Sequence, residues 1–176
     1  MPLIYPIKGI APTIGKNTFI AENATSVGDE VMGDNCSVWF NTVIRGDVHS
    51  IRIGNNVNIQ DGAIVHCTYQ KAPVSIGNNV SIAHAAIIHG CTIHDNVLIG
   101  MGAIVMDGVV IESNSIVAAG ALISQNTIVE SGSVYAGVPA RKIKSIDESL
   151  LKGQVNRISQ SYTMYASWHD AGIIPL

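Results

Sequence analysis

Three histidines, His66, His84 and His89, have the clearest chemical potential in this sequence. Imidazole is a common ligand of zinc and of other transition metals. His84 and His89, however, lie five residues apart in the apolar segment HAAIIHG, which is a poor chelate spacing. In a strand an odd separation points the two side chains to opposite faces, and in a helix it leaves them about 140° apart. A shared metal site therefore needs an arrangement that neither a single strand nor a single helix provides.

The elements that must position these histidines belong to an internal repeat of six residues. In the second half of the chain, aliphatic residues recur at this period, at Ile93, Ile99, Val105, Ile111, Val117, Ile123 and Val129. A period of six with β-branched residues is typical of a hexapeptide β-helix, in which three hexads form one triangular coil. An ordinary β-sandwich would instead alternate with a period of two between turns about 8 to 12 residues apart. The sequence therefore predicts an all-β solenoid, a parallel β-helix of hexapeptide repeats, over residues 1–144.

The pattern changes after Arg141, where the hexads end. Over residues 145–170 we expect a C-terminal helix, capped by Ser145 or Asp147 and packed on the β-helix within the same domain. Its apolar residues recur three or four apart, at Leu150, Leu151, Val155, Ile158, Tyr162 and Tyr165.

The hexads assign His66 and His89 to one column of the solenoid. His66 directly follows Val65, and His89 directly follows Ile88, at the same place in successive coils. Because coils stack at the strand spacing of about 4.8 Å, the two side chains should be neighbours. Two nitrogens on one tetrahedral zinc are about 3.4 Å apart, so a slight convergence of the rings lets both bind one metal.

His84 cannot join this pair within the same chain, since it follows Ile82 by two residues and lies on another side of the triangle. A third ligand has to come from another subunit, and a homotrimer closes such a contact as a ring. Asp61 follows Ile59 by two residues, so it should lie directly below His84. For each histidine taken alone, an ordinary packing role is the alternative.

Four polar residues beside the histidines are candidates for supporting roles. Gln60 and Asp61, in the segment NIQDG, either position a metal-bound water or are structural. Arg45 and Asp47, in the segment RGD, lie at the predicted interface, where an unpaired charge is costly. They should pair with each other or with Asp61 across subunits, and an ion network without a chemical role is the favoured interpretation for them.

At these residues the sequence resembles the gamma-class carbonic anhydrases. The resemblance covers Ile14 to Arg141 and the C-terminal helix, and it is carried by the segments VIRGD, NIQDG, IVHC and SIAHAAIIHG. It implies a left-handed β-helix and a homotrimer. It also implies that carbon dioxide is reversibly hydrated to bicarbonate by a metal-bound hydroxide at the trimer interface. His66, His84 and His89 are then the ligands of zinc, or of iron or cobalt.

The same resemblance assigns the supporting residues. Gln60 contacts the metal-bound solvent, while Arg45, Asp47 and Asp61 join the subunits and support the site. Tyr162, on the helix, resembles a family tyrosine that lies near the substrate.

The sequence departs from some members of that family in its proton acceptors. The segment CTYQKAP, which interrupts the repeat after His66, contains no carboxylate, and Val48 follows RGD where some active members carry glutamate. Fast turnover needs a proton acceptor within reach. We therefore expect low activity, with His49 as the substitute that the sequence offers.

Two other functions on the same scaffold stay open. The segment AGVPARKI resembles one that is common in hexapeptide acyltransferases, although it is also a frequent way for such coils to end. A metal-bearing thioesterase or a non-catalytic binding protein is the third class. An acyltransferase should bind acyl-CoA and need no metal, whereas the anhydrase needs about one metal per subunit.

Composition excludes several other classes of partner. With 10 Lys and Arg residues against 13 Asp and Glu residues, the chain has no basic excess that would indicate nucleic acid binding. Cys36, Cys67 and Cys91 lack metal-binding spacing, and we expect reduced thiols in a cytoplasmic protein. The first residues, MPLIYPIKGIAPTIG, predict neither a signal peptide nor a membrane span.

Overall fold

Very short strands separated by sharp corners make up most of residues 1–169, the part of the chain that the computed structural model describes. In chain order the strands are β1 (Leu3–Tyr5), β2 (Thr13–Ile14), β3 (Phe19–Ile20), β4 (Thr25–Met32), β5 (Ser37–Val38), β6 (Val43–Ile53), β7 (Asn58–Ile59), β8 (Ile64–His66), β9 (Val74–Ile76), β10 (Ser81–Ile82), β11 (Ile87–His89), β12 (Thr92–Ile93), β13 (Leu98–Ile99), β14 (Ile104–Val105), β15 (Val110–Ile111), β16 (Ile116–Val117), β17 (Leu122–Ile123), β18 (Ile128–Val129), β19 (Ser133–Gly137) and β20 (Ala140–Ser145). From one coil to the next these strands pair in parallel, and β19 and β20 close the last coil as an antiparallel pair.

The strands form a three-sided solenoid of about seven turns. The long strand β6 turns a corner, since its first half pairs with β8 and its second half pairs with β9. A 12-stranded sheet therefore covers two sides, and an 8-stranded sheet covers the third. The predicted hexapeptide β-helix is confirmed.

The core consists of stacked aliphatic columns. Ile59, Ile82 and Ile99, for example, are in register on β7, β10 and β13, and each is at most 1% exposed. Burial of such β-branched side chains on closely spaced strands is the main stabilising contribution. At one corner, Asn56 and Asn79 adopt positive φ angles, which asparagine tolerates better than most residues, and their amides are linked at 3.1 Å.

The C-terminal helix lies along the 8-stranded side. It comprises α1 (Glu148–Leu150), a π-helical segment (Leu151–Asn156) and α2 (Arg157–Ser167). Asp147 is the N-cap, and its Oδ1 accepts a hydrogen bond from Leu150 N at 2.7 Å. Val155 packs in a cluster with Ile116 and Val134. Residue 170, the last of the predicted helix, lies outside the described residues.

Two further features bear on the expectations from the sequence. All three cysteines are buried free thiols, in agreement with the sequence prediction. Within residues 1–169, none of the helices has both the length and the apolar character that a membrane span requires.

Candidate metal centre

The register of β8 and β11 places His66 beside His89, as the hexad frame predicts. His66 Nδ1 lies 3.1 Å from His89 Nε2, and the ring centroids are 5.1 Å apart. This nitrogen separation is close to the value of about 3.4 Å for two ligands of a tetrahedral zinc. The two rings therefore converge enough to bind one ion.

The outer nitrogen of each ring faces a carboxylate. His66 Nε2 donates to Asp47 Oδ1 at 3.2 Å, and His89 Nδ1 donates to Asp107 Oδ1 at 2.5 Å. When the outer nitrogens carry these protons, His66 Nδ1 and His89 Nε2 of the neutral rings carry none. Two lone pairs then face each other at 3.1 Å, and only an added proton or a cation between them removes the repulsion. This donor set fits a metal ion, since histidine ligands commonly donate their other N–H to a carboxylate.

Both carboxylates are fixed by a second partner. Arg45 Nη1 donates to Asp47 Oδ2 at 2.6 Å, which is one of the two pairings that the sequence predicts. Thr68 Oγ1 donates to Asp107 Oδ2 at 2.5 Å. Each aspartate therefore bridges a histidine and a second donor, and this holds the imidazole ring in one orientation.

The pKa shifts of His66, Asp47 and Asp107 favour the binding of a cation. Burial lowers the pKa of His66, so the neutral imidazole that a metal requires is favoured. Burial alone would raise the pKa of Asp47, but the hydrogen bonds from Arg45 and His66 outweigh it and leave the pKa below its usual range. The pKa of Asp107 is lowered in the same way, against the effect of burial, by Thr68 and His89.

His84 lies on a different side of the solenoid, at the corner after β10. Its Nδ1 donates to Asp61 Oδ2 at 2.9 Å, and Asp61 occupies the equivalent corner one coil below, as predicted. Among residues 1–169 of one chain, no group of three or more His, Cys, Asp or Glu residues is arranged to hold a metal. The contribution of His84 from a neighbouring subunit stays a prediction.

Gln60 and Tyr162 lie on the same side of the chain as His84. Gln60 is buried, and its Nε2 donates to Asn58 Oδ1 at 2.9 Å. Tyr162 packs edge-on against Trp39, with centroids 5.3 Å apart. Burial, and then the charge of Asp61, raises the pKa of Tyr162 to about 12, so its phenol keeps its proton at neutral pH.

Sequence reasoning missed Asp107 and Thr68. The available signal was the position of Asp107, two residues after Val105, which places it one coil above Gly90 and therefore diagonally above His89. Of the remaining histidines, His94 is exposed, while His49 Nδ1 accepts a hydrogen bond from Ser50 N at 2.8 Å. His169 is exposed as a whole but also packs on Phe19 and Trp39.

Known proteins share both the repeat and most of the length of this chain. Residues 90–125 match the family described as bacterial transferase hexapeptide (six repeats). A carbonic anhydrase from Geobacillus kaustophilus is 40% identical over 169 residues, which cover 96% of this chain and 92% of that protein. A protein from Methanocaldococcus jannaschii, described as a probable carbonic anhydrase, is 50% identical over 139 residues, which cover 79% of this chain and 87% of that protein.

Solved structures share the fold at similar identity. The crystal structure of a hexapeptide transferase family protein from Anaplasma phagocytophilum superposes with a TM-score of 0.90 at 37% identity. The superposition covers 95% of this chain and 98% of that chain. Proteins described by two different activities therefore share this scaffold.

Proposed function

Since the chain belongs to the gamma-class carbonic anhydrase-like family of hexapeptide-repeat proteins, we propose that it catalyses the reversible hydration of carbon dioxide. The site would be shared between subunits of a homotrimer, with His66 and His89 from one chain and His84 from its neighbour. The observation that carries this proposal is that each of these histidines donates one ring N–H to an aspartate. The other nitrogen of each ring is thereby left free for a metal.

The interface proposed for the trimer is supported by an apolar stripe. Outward-facing aliphatic residues occupy one register column on the strands that carry His66 and His89, namely Val43, Ile64, Ile87, Ile104 and Leu122. Ile64 is 41% exposed and Ile104 is 38% exposed in the single chain. A contact that covers this stripe with a second copy also brings a different face of that copy, such as the His84 corner, toward the histidine pair.

The residues of the chain then have distinct roles. Asp47, Asp61 and Asp107 fix the orientation of the ligating rings. Zinc, or iron or cobalt, when bound, acts as a Lewis acid that activates water near neutral pH. Gln60, whose amide is fixed by its bond to Asn58, orients the reacting water. Tyr162 keeps its proton and donates a hydrogen bond to the substrate or product rather than acting as a base.

We expect transfer of the released proton away from the site to limit turnover. Residues 67–73 contain no carboxylate, and Val48 cannot accept a proton. We therefore expect turnover to depend on an external buffer as the proton acceptor. We also expect the protein to act in the cytoplasm, in keeping with its free thiols.

The direct test is a stopped-flow assay of carbon dioxide hydration on metal-loaded protein, with the metal content measured on the same sample. We expect about one metal per subunit and a rate that rises with buffer concentration. His66→Ala and His84→Ala should each abolish both metal binding and hydration. Full metal occupancy without hydration would favour a thioesterase or a non-catalytic binding protein and would overturn the proposal.

Mixing the two variants tests whether the site is shared. His66→Ala and His84→Ala subunits, unfolded together and refolded at equal amounts, should regain about a quarter of the wild-type sites, because one intact ligand set forms wherever the two variants meet in the right order. If all three histidines acted within one chain, no site would be restored. Each variant refolded alone is the matched control.

Acyl transfer is the second candidate function, because the matched repeat family and the solved structure above are both described as transferases. An acyltransferase should bind acyl-CoA in the absence of metal. We expect no saturable binding of acetyl-CoA by the metal-free protein, measured by calorimetry. Binding in the micromolar range would favour this second function.

A further inference from the structure

A cleft beside the His84–Asp61 pair is walled by aromatic rings. It has a volume of about 280 Å³ and lies between the corner after β5 and the end of the C-terminal helix. Its walls are formed by five Trp, Tyr and Phe residues, one carboxylate and one imidazole, namely Trp39, Phe40, Tyr162, Tyr165, Trp168, Asp61 and His169. Carbon dioxide has three atoms and needs no cleft of this size, so the proposed hydration reaction leaves it unexplained.

Neighbouring rings in the cleft meet at steep or tilted angles rather than stacking face to face. Tyr162 meets Trp39 at 85° and Tyr165 at 70°, with centroids 5.3 Å apart in both pairs. Tyr165 and Trp168 are 5.0 Å apart and tilted by 45°. Neighbouring rings therefore point their faces in different directions, and more than one ring face is offered to a group bound in the cleft.

The charge of the cleft favours a cation. Asp61 supplies a negative charge at one end, where it accepts a hydrogen bond from His84, and within residues 1–169 no Lys or Arg residue lines the cleft. Aromatic faces carry negative electrostatic potential and attract a cation that lies over them. Aromatic rings that surround a group beside a carboxylate are a recognised way to bind a quaternary ammonium ion.

We propose that this cleft binds a small molecule that carries a quaternary ammonium group. Methylated ammonium fits better than a metal ion or a primary amine, because its methyl groups are weakly hydrated and contact the rings directly. The proposal concerns residues of one chain and does not depend on the metal or on carbon dioxide hydration. The bound cation would lie beside His84, next to the proposed metal centre.

Tryptophan fluorescence provides a specific assay for this site. The sequence has 2 tryptophans, and both Trp39 and Trp168 line the cleft. The full-length protein is titrated with choline chloride and, separately, with 3,3-dimethylbutan-1-ol, the neutral isostere of choline. We expect saturable quenching by choline, with an affinity about tenfold higher than that of the isostere. All titrations are run at one fixed pH and ionic strength, so that the two ligands and all variants are compared under the same conditions.

Three variants locate the binding. Tyr165→Leu keeps both tryptophans and should weaken choline binding about tenfold through loss of one ring face. Asp61→Asn should weaken choline about fivefold and leave the isostere unchanged, since only the charge is removed. Tyr69→Leu, at an exposed tyrosine outside the cleft, is the matched control and should have no effect.

Each alternative outcome overturns the proposal. Equal affinity for choline and the isostere would mean that the cleft is an ordinary apolar site. The absence of saturable quenching, or equal quenching of Tyr165→Leu, would mean that no cation binds there. Metal content and hydration are measured separately, so failure of this proposal is distinguishable from failure of the proposed enzyme activity.

Discussion

Carboxylates occupy two contrasting regions of this solenoid. On the outer surface of the middle coils, Asp47, Asp61 and Asp107 each accept a hydrogen bond from a histidine. Near the N-terminal end, Glu30 is 1% exposed and is in register with Ile51, so it occupies a position in a core column. The outward carboxylates have partners and can remain charged, whereas the inward carboxylate replaces an apolar side chain.

The difference is visible in hydrogen bonding and in titration. One oxygen of Glu30 accepts a hydrogen bond from Ser26, and the other, Oε1, is the buried side-chain oxygen left without a partner in the described part of the chain. Burial raises the pKa of Glu30 to about 7, against the lowering effect of Ser26. The pKa values of Asp47 and Asp107 lie below their usual range instead. The fold therefore uses its outward carboxylates and tolerates Glu30 at a cost in stability.

The largest expected effect follows from removing Glu30. Its pKa is about 7 in the folded protein and 4.5 for a freely solvated glutamate, so the native state binds more protons between these values and stability falls as pH rises from 4.5 to 7. Glu30→Val should therefore stabilise the protein by about 3 kcal/mol at pH 8 and much less at pH 4.5. Urea denaturation at fixed protein concentration measures this difference.

A second variant separates charge from polarity at the same position. Glu30→Gln should also remove the pH dependence, but it should gain less stability than Glu30→Val because a buried amide remains incompletely bonded. A stability difference between wild type and Glu30→Val that does not change with pH would contradict the assignment of a titrating core carboxylate.

The next effect concerns an outward carboxylate. Asp107→Asn keeps the shape at His89 but removes the negative charge, so metal affinity should fall about 10- to 100-fold. Stability without metal should change little, since Asp107 is partly exposed. Competition with a chromogenic chelator measures the affinity.

Asp95→Asn is the matched control for this substitution. Asp95 Oδ1 accepts the backbone N–H of Asn78, and asparagine does the same at the equivalent corner one coil below, where Asn78 Oδ1 accepts from Asn55 N. We expect unchanged metal affinity. An equal loss in both variants would mean that general charge, rather than the bond to His89, controls metal binding.

The repeat predicts much of this arrangement, because a period of six assigns each residue to one coil and to one side of the three-sided solenoid. The strands, the core columns, the pairing of His66 with His89 and the position of Asp61 below His84 all follow from that period. Each of these statements concerns backbone position, which the hexads determine directly.

Side-chain direction is not determined in this way. Asp107 reaches across one coil to His89, and Thr68 joins it from a segment that interrupts the repeat. The amide of Gln60 donates to the neighbouring Asn58 side chain, while its predicted place near metal-bound solvent stays a prediction. These contacts depend on rotamers and on segments outside the hexads, so the period alone cannot predict them.

The smallest expected effect lies at the corner that carries His84. The residue after it, Ala85, has a φ of 58°, while Gly62 and Gly102 occupy the same corner one coil below and above with φ of 69° and 65°. A β-carbon costs about 1–2 kcal/mol in this conformation, and glycine avoids that cost. Glycine also has more conformational freedom in the unfolded chain, which offsets part of the stability gained by the substitution. Ala85→Gly should therefore stabilise the protein by at most about 1 kcal/mol, while Gly102→Ala should destabilise it by a similar amount. Thermal melts at fixed concentration measure both changes.

Metal affinity of Ala85→Gly should stay within about twofold, since the bond to Asp61 rather than backbone strain orients His84. If Ala85→Gly gains stability but loses metal affinity, the strained corner itself positions the ligand, and the contrast between paired and unpaired carboxylates is then an incomplete account of the site.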